Sequence, residues 1–158
     1  MSNVRITAQP IDAAAETAAL AAGRAGIGAM VTFSGICRDS EGAEKIAALV
    51  LEHYPGMAEA EIERHVQEAE ARWPLLGVRV VHRSGRITPG ETIVMVAVAA
   101  AHRQAAFAAA EFLMDFLKTK APFWKKVEAA GVTHWVEARA TDDQAAARWK
   151  APARDAAE

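Results

Sequence analysis

The chain has 158 residues, the length of one ordinary domain, and 52% of them are hydrophobic, so a sizeable core can be buried. Lys and Arg total 18 against 20 Asp and Glu, a net charge of −2, which lacks the basic excess of a nucleic-acid binder and leaves any anion site to local clustering. The single cysteine, Cys37, excludes an intramolecular disulfide and argues against a cysteine-based zinc site, and no apolar run approaches the roughly 20 residues that span a bilayer.

Met1 to Ile11 is mixed polar and apolar, without the basic start and apolar core of a signal peptide, so the expected compartment is the cytosol. Val4 to Ala8 alternates and fits an edge strand. Asp12 is placed to cap an Ala-rich helix running to about Ala22, and Gly23, Gly26 and Gly28 mark a loop behind it. Ala29 to Ser34, with its β-branched and aromatic residues, predicts a buried strand. Cys37 to Glu44 is polar, holds Gly42 and predicts an exposed loop, followed by a second strand over Lys45 to Glu52.

Tyr54-Pro55-Gly56 is a breaker. Behind it Met57, Ile62, Val66, Ala69 and Trp73 recur at helical spacing with Glu and Arg between them, which predicts an amphipathic helix ending before Pro74. Val78 to His82 predicts a strand, Thr88-Pro89-Gly90 a turn, and the nearly unbroken apolar run Thr92 to Ala100 a central strand. His102 to about Thr119 predicts a second long helix. Its stripe Phe107, Ala110, Met114 and Leu117 is widened by Phe112 and Phe116, so it should be mostly buried, and Pro122 stops it. A last strand is expected over Thr133 to Ala138. The order is mixed α and β without a βαβ rhythm, a repeat or a linker, so we expect one α+β domain over residues 1–149 and a mobile Ala-rich tail over 150–158.

The chemistry concentrates in Lys118 to Lys126, KTKAPFWKK, which holds Lys118, Lys120, Lys125 and Lys126 and no acidic residue. Like charges this close repel, and crowding lowers a lysine's affinity for its proton, which suits a nucleophile or general base. Pro122, Phe123 and Trp124 stiffen the segment and can wall a pocket. Against this, a helix dipole favours lysines at its C-terminal end, so Lys118 and Lys120 can equally be end-caps.

His102-Arg103 falls where a strand gives way to a helix N-terminus, a place that favours anions. Arg103 therefore points to a ligand or a partner carboxylate, unless it pairs with a nearby Glu. Arg38 and Arg139 each close a strand and carry the fork that grips phosphate or carboxylate; alone each is an ordinary surface residue, and their value depends on convergence. Gly23 to Gly28 lacks the order of a dinucleotide fingerprint. His53, His65, His82 and His134 have no metal-ligand spacing and read as surface or core residues. Cys37 has Arg38 beside it, which can lower its pKa, but a small buried hydrophobe is the favoured reading. The tryptophans read as packing or interface residues.

VTFSGICR (Val31 to Arg38), LEHYPGM (Leu51 to Met57), RWPL (Arg72 to Leu75), HR-G-I-PGE (His82 to Glu91), AHR (Ala101 to Arg103), FLMDFLKTKAPFWKK (Phe112 to Lys126) and WVEAR (Trp135 to Arg139) resemble, in this order, the large subunit of molybdopterin synthase. LEHYPGM and LKTKAPFWK are the most specific of these patterns. The resemblance implies an α/β hammerhead-type fold with an additional antiparallel β subdomain, and a homodimer with a small ubiquitin-like subunit at each end, together a heterotetramer. It also implies sulfurtransferase activity. The small subunit's C-terminal Gly-Gly thiocarboxylate enters a pocket and delivers sulfur to cyclic pyranopterin monophosphate, and two transfers give the dithiolene of molybdopterin. Neither a metal nor an organic cofactor is implied.

By the same resemblance Lys118 and Lys125 match the catalytic lysines. Arg38, His102, Arg103 and Arg139 match the anion-binding pocket, with Arg103 reaching it from the dimer mate, and Phe33 matches a pocket-lining aromatic. Lys120 stands where relatives commonly carry arginine, and Cys37 where a small apolar residue is usual. Two rival classes remain: a non-catalytic module that docks an acidic tail, and a lysine Schiff-base enzyme.

Overall fold

A strand that must be covered on both faces reads as an unbroken apolar run, and Thr92 to Ala100 is such a run. The computed structural model, which describes residues 3–136 and 140–150, builds the protein around it. In chain order the elements are β1 (Val4–Thr7), α1 (Ala13–Ala21), β2 (Ala29–Ile36), β3 (Ser40–Glu41), β4 (Glu44–Lys45), β5 (Ala48–His53), α2 (Met57–Arg72), β6 (Leu75–Arg83), β7 (Gly85–Ile87), β8 (Thr92–Ala100), α3 (Arg103–Thr119), β9 (Phe123–Ala129), β10 (Val132–Val136) and α4 (Ala140–Ala147). The class is α+β, as expected.

The first sheet has the order β1-β6-β8-β2, with β1 parallel to β6 and the other pairs antiparallel. Val94, Val96 and Val98 of β8 face Ile62 and Val66 of α2 and Leu113 and Phe116 of α3. Met95, Ala97 and Ala99 face the other way, against Leu20 of α1 and Val81. Each large apolar side chain so buried contributes on the order of 2 kcal/mol, which makes β8 the spine of the fold. Asp12 caps α1 as expected, its side chain accepting from the Ala15 N–H at 2.9 Å.

Two expectations about burial are corrected. β2 is an edge strand, and Thr32, Phe33, Ser34 and Ile36 are exposed. A run of β-branched and aromatic residues fits an edge as well as a centre, and only pairing decides. In α3 the buried face is Ala106, Ala109, Ala110, Phe112, Leu113 and Phe116, while Phe107 is 61% exposed. The small alanines let the helix approach the sheet, so it turns their side inward and leaves Phe107 outside.

The second sheet has the order β10-β9-β5-β7, antiparallel throughout. Its strands β7 and β9 were not anticipated, nor was α4. The loop expected over Cys37 to Glu44 contains a minimal hairpin, β3–β4, turning at Gly42 with φ 59°. Of the last expected strand, Glu137 and Ala138 lie outside the described residues, as do residues 151–158 of the expected tail. Trp149 is anchored beside α2 and α3: its ring lies 5.6 Å from that of Trp73 and 5.7 Å from that of Phe112, and its indole N–H donates to Asp115 at 2.6 Å. No helix among the described residues is long and apolar enough to cross a membrane.

Candidate active site

Pro122 ends the helical stretch and the chain enters β9, where side chains alternate between faces. The register sets Lys125 opposite Leu51 and Val127 opposite Leu49, whereas Trp124 and Lys126 lie opposite Glu52 and Val50 on the other face. The inward face of β9 and β5, the last turn of α3 and the end of β2 enclose an open cavity of about 360 Å³. Leu49, Leu51 and Met114 give it apolar walls, and Phe33, Arg38, Lys118 and Lys125 all line it. Four sequence-predicted site residues from separate parts of the chain are thus brought together.

The cations outnumber the acids of the lining, Glu41 and Asp142. Arg38 lies 3.9 Å from Glu41 with both side chains in contact with solvent, an arrangement that contributes little. Lys118 forms no hydrogen bond or ion pair among the described residues. The other two lysines of the cluster face elsewhere. Lys126 pairs with Glu52 at 2.8 Å and sits 4.3 Å over the Trp135 ring. Lys120 lines a second cavity of about 480 Å³ with His65, Arg72 and Trp149. The expected crowding of all the lysines is therefore corrected: strand alternation and the helix end divide them between faces.

His102 is the N-cap of α3 and Arg103 its first residue, both exposed. Arg103 precedes Lys118 by fifteen positions, roughly 22 Å along the helix axis, so within one chain the pair does not reach this cavity. Arg139 lies outside the described residues. Cys37 is buried, 2% exposed, and burial raises its thiol pKa against the opposing pull of the Lys125 charge. Arg38 is too weak an influence to reverse this, and Cys37 is a packing residue. Among the described residues no group of three or more His, Cys, Asp or Glu side chains gathers as metal ligands do.

One lining residue was missed. His82 continues the inward alternation of Val78 and Val80 on β6 and is 7% exposed. Its ring lies flat on Phe123, 4.0 Å between centroids and 13° between planes, and Nδ1 donates to the Arg83 carbonyl at 2.8 Å. Burial pushes its pKa down to about 4, the nearby Lys118 charge adding to the effect, so the ring is neutral at physiological pH. The signal was present in the sequence: one more step of the period-2 pattern after Val80 reaches an imidazole.

An open hollow with apolar walls and cations from three directions suits an anionic ligand. Comparison with known proteins shows the family. The sequence profile of the family described as MoaE protein matches residues 6–120. A molybdopterin synthase catalytic subunit from Mesorhizobium japonicum is 62% identical over 149 residues, covering 93% of this chain and 92% of the relative. The structure of a molybdopterin biosynthesis MoaE protein from Burkholderia ambifaria superposes with a TM-score of 0.80 at 50% identity, covering 94% of this chain and 98% of the other. A chain from the complex of subunits 1 and 2 of molybdopterin-converting factor from Helicobacter pylori has the same fold, with a TM-score of 0.68 at 20% identity over 86% of this chain and 91% of that one.

Proposed function

This chain belongs to the MoaE protein family and acts as the catalytic subunit of a molybdopterin synthase, a sulfurtransferase, and from that premise we propose how its cavity works. The sulfur donor is the C-terminal thiocarboxylate of a small ubiquitin-like carrier subunit, whose tail enters the hollow. The acceptor is cyclic pyranopterin monophosphate. In each transfer the thiocarboxylate sulfur forms a bond to a carbon of the pterin precursor while a carbon–oxygen bond at that carbon breaks and the oxygen departs as water or as phosphate oxygen. Water then cleaves the acyl–sulfur bond, so the carrier leaves as a carboxylate.

Lys118 contacts the thiocarboxylate and assists sulfur attack or acyl cleavage. Lys125 acts as general acid/base or holds the pterin. Arg38 binds phosphate and stabilises developing negative charge, joined by His102, Arg103 and Arg139, and Phe33 lines the pocket. Because His102 and Arg103 sit at the far end of α3, they reach a cavity from a second copy of the chain, in a homodimer within a heterotetramer. In this reading residues 1–149 work as one unit, α1–α3 with the first sheet form the hammerhead-type part, and the sheet β10-β9-β5-β7 is the additional β subdomain. The reaction takes place in the cytoplasm, without a metal or organic cofactor.

The observation that carries the reading is that Lys118, on a helix, and Lys125, on a strand, face one hollow together with Arg38 and Phe33. The test mixes the purified chain with thiocarboxylated carrier and pterin precursor. Molybdopterin should form with the wild-type chain and not with Lys118→Ala. A wild-type chain that binds the carrier yet makes no product would instead be a docking module, and near-normal turnover of Lys118→Ala would remove that lysine from the mechanism. Borohydride trapping at Lys118 or Lys125 would favour a Schiff-base enzyme.

A further inference from the structure

Val78, Val80 and His82 share the face of β6 that α3 covers, and the two valines are 1% and 0% exposed. An imidazole in the next inward position is costly to bury unless its polar atoms are used. Among the described residues only one is used. Nδ1 donates to the Arg83 carbonyl, which fixes the tautomer and leaves Nε2 without a hydrogen, as an acceptor. Among the described residues no donor meets Nε2. The ring cannot swing away to find one, because it is stacked on Phe123, which packs in turn against His53 at 5.8 Å. What remains exposed of His82 lines the same cavity as Lys118.

We propose that His82 is a positioning residue for sulfur transfer: when the carrier tail enters, the Lys118 ammonium, which makes no hydrogen bond among the described residues in the free chain, donates to His82 Nε2 and is thereby aimed at the incoming thiocarboxylate. The inference rests on the sulfurtransferase reading above. Lys118 ends a long flexible side chain in the last turn of α3 and has no ion pair among the described residues, so it needs an anchor before it can act as an oriented donor. A carboxylate anchor would cancel the charge that must meet an anion. A neutral imidazole holds one ammonium proton and leaves the charge in place.

The other charged and titratable groups around the ring are Arg38, Lys125, Glu41 and Asp142 of the cavity lining and His53 behind Phe123. Burial keeps the ring neutral, with a pKa of about 4, so the acceptor persists throughout the physiological range.

Two substitutions separate the two ring nitrogens. In His82→Asn the amide nitrogen stands near the place of Nδ1 and keeps the bond to Arg83, but the acceptor at Nε2 is lost. In His82→Gln the amide oxygen reaches the place of Nε2 and the Arg83 bond is lost. With carrier and pterin precursor, kcat of His82→Asn should fall on the order of tenfold to a hundredfold, while KM for the pterin and Kd for the carrier stay within about twofold. His82→Gln should recover kcat to within about threefold of wild type, since only the acceptor orients Lys118. Wild-type turnover in His82→Asn, or equal losses in the two variants, overturns the proposal. A wild-type mixture that makes no product sinks the sulfurtransferase reading itself, and this inference with it.

Discussion

Acidification from pH 6.5 to pH 4 is expected to remove about 3 kcal/mol of folding stability through His82 alone. The free imidazole takes its proton near 6.5, whereas the folded protein holds His82 neutral down to about 4, because burial disfavours the charged ring. Between those values the unfolded chain binds the extra proton and the folded chain does not, so stability rises with pH across the window. The contribution is fully present above pH 6.5 and is lost as the pH falls to 4. A gap of about 2.5 pH units at about 1.4 kcal/mol each gives about 3.5 kcal/mol in all, of which about 3 kcal/mol falls between pH 6.5 and pH 4 because the titrations extend a little beyond each end. His65, also held low by burial, moves stability in the same direction.

The carboxylates Glu16, Glu61 and Glu91 have pKa values below their ordinary 4.5, so their contributions begin to be lost only as the pH falls through about 4.5, at the acid end of the window. Urea unfolding followed by tryptophan fluorescence at several pH values between 7 and 4.5 checks this, with His82→Asn as the non-titrating control. The wild-type stability curve should fall more steeply than that of the variant over this range. Parallel curves would mean that the folded protein protonates His82 as readily as water does, and the argument from burial would be wrong.

Lys118→Ala should lower turnover by about a hundredfold or more. The side chain is exposed, so its loss should leave stability within about 0.5 kcal/mol in a urea melt. Gly28→Ala places a Cβ 2.2 Å from the Ala101 carbonyl oxygen, a backbone atom that cannot yield, and urea melts should show a loss of about 2 kcal/mol or more. Arg103→Gln should slightly raise thermal stability, by about 0.3–1 kcal/mol, because it removes a cation from a helix N-terminus. The same change should lower turnover if the residue completes a neighbouring copy's anion pocket, and unchanged turnover would remove it from that pocket.

Where local pattern and packing agree, the sequence was readable. β8, α2 and the Asp12 cap of α1 each have one physical solution: an apolar run too short for a membrane, a helical stripe ended by Pro74, and a carboxylate ahead of alanines. β2 was placed correctly but misjudged as buried, because its composition cannot say whether a neighbour lies on one side or both. β9 was hidden by its own charge. KTKAPFWKK invited a reading by lysine density, whereas its period-2 order after Pro122 is what sends Lys125 inward and Lys126 outward. That Lys125 then meets Lys118 depends on β9 pairing with β5, a contact between segments about 75 residues apart whose register no local pattern specifies. His82 was passed over because histidines were searched for metal spacing and not for their place in an alternating strand.

The two ends of α3 show how the same charge means different things. Lys118 stands in the last turn, where the helix dipole favours a cation, so fold stability and the proposed chemistry ask for the same residue there. At the other end no acidic residue occupies the first turn, and His102 and Arg103 are exposed where the dipole favours an anion. Neither makes an ion pair among the described residues. A cation at an exposed helix start gains nothing for the stability of this helix, which fits the proposal that it serves an anion brought from outside. Lys118 alone is ambiguous between cap and catalyst, and its place in the lining of the hollow is what supports the proposed catalytic role. Arg103 is unambiguous only about stability: it opens a helix whose first turn holds no acid, so an Arg103→Gln variant that is more stable and less active is the outcome that separates the proposed role from a neutral one.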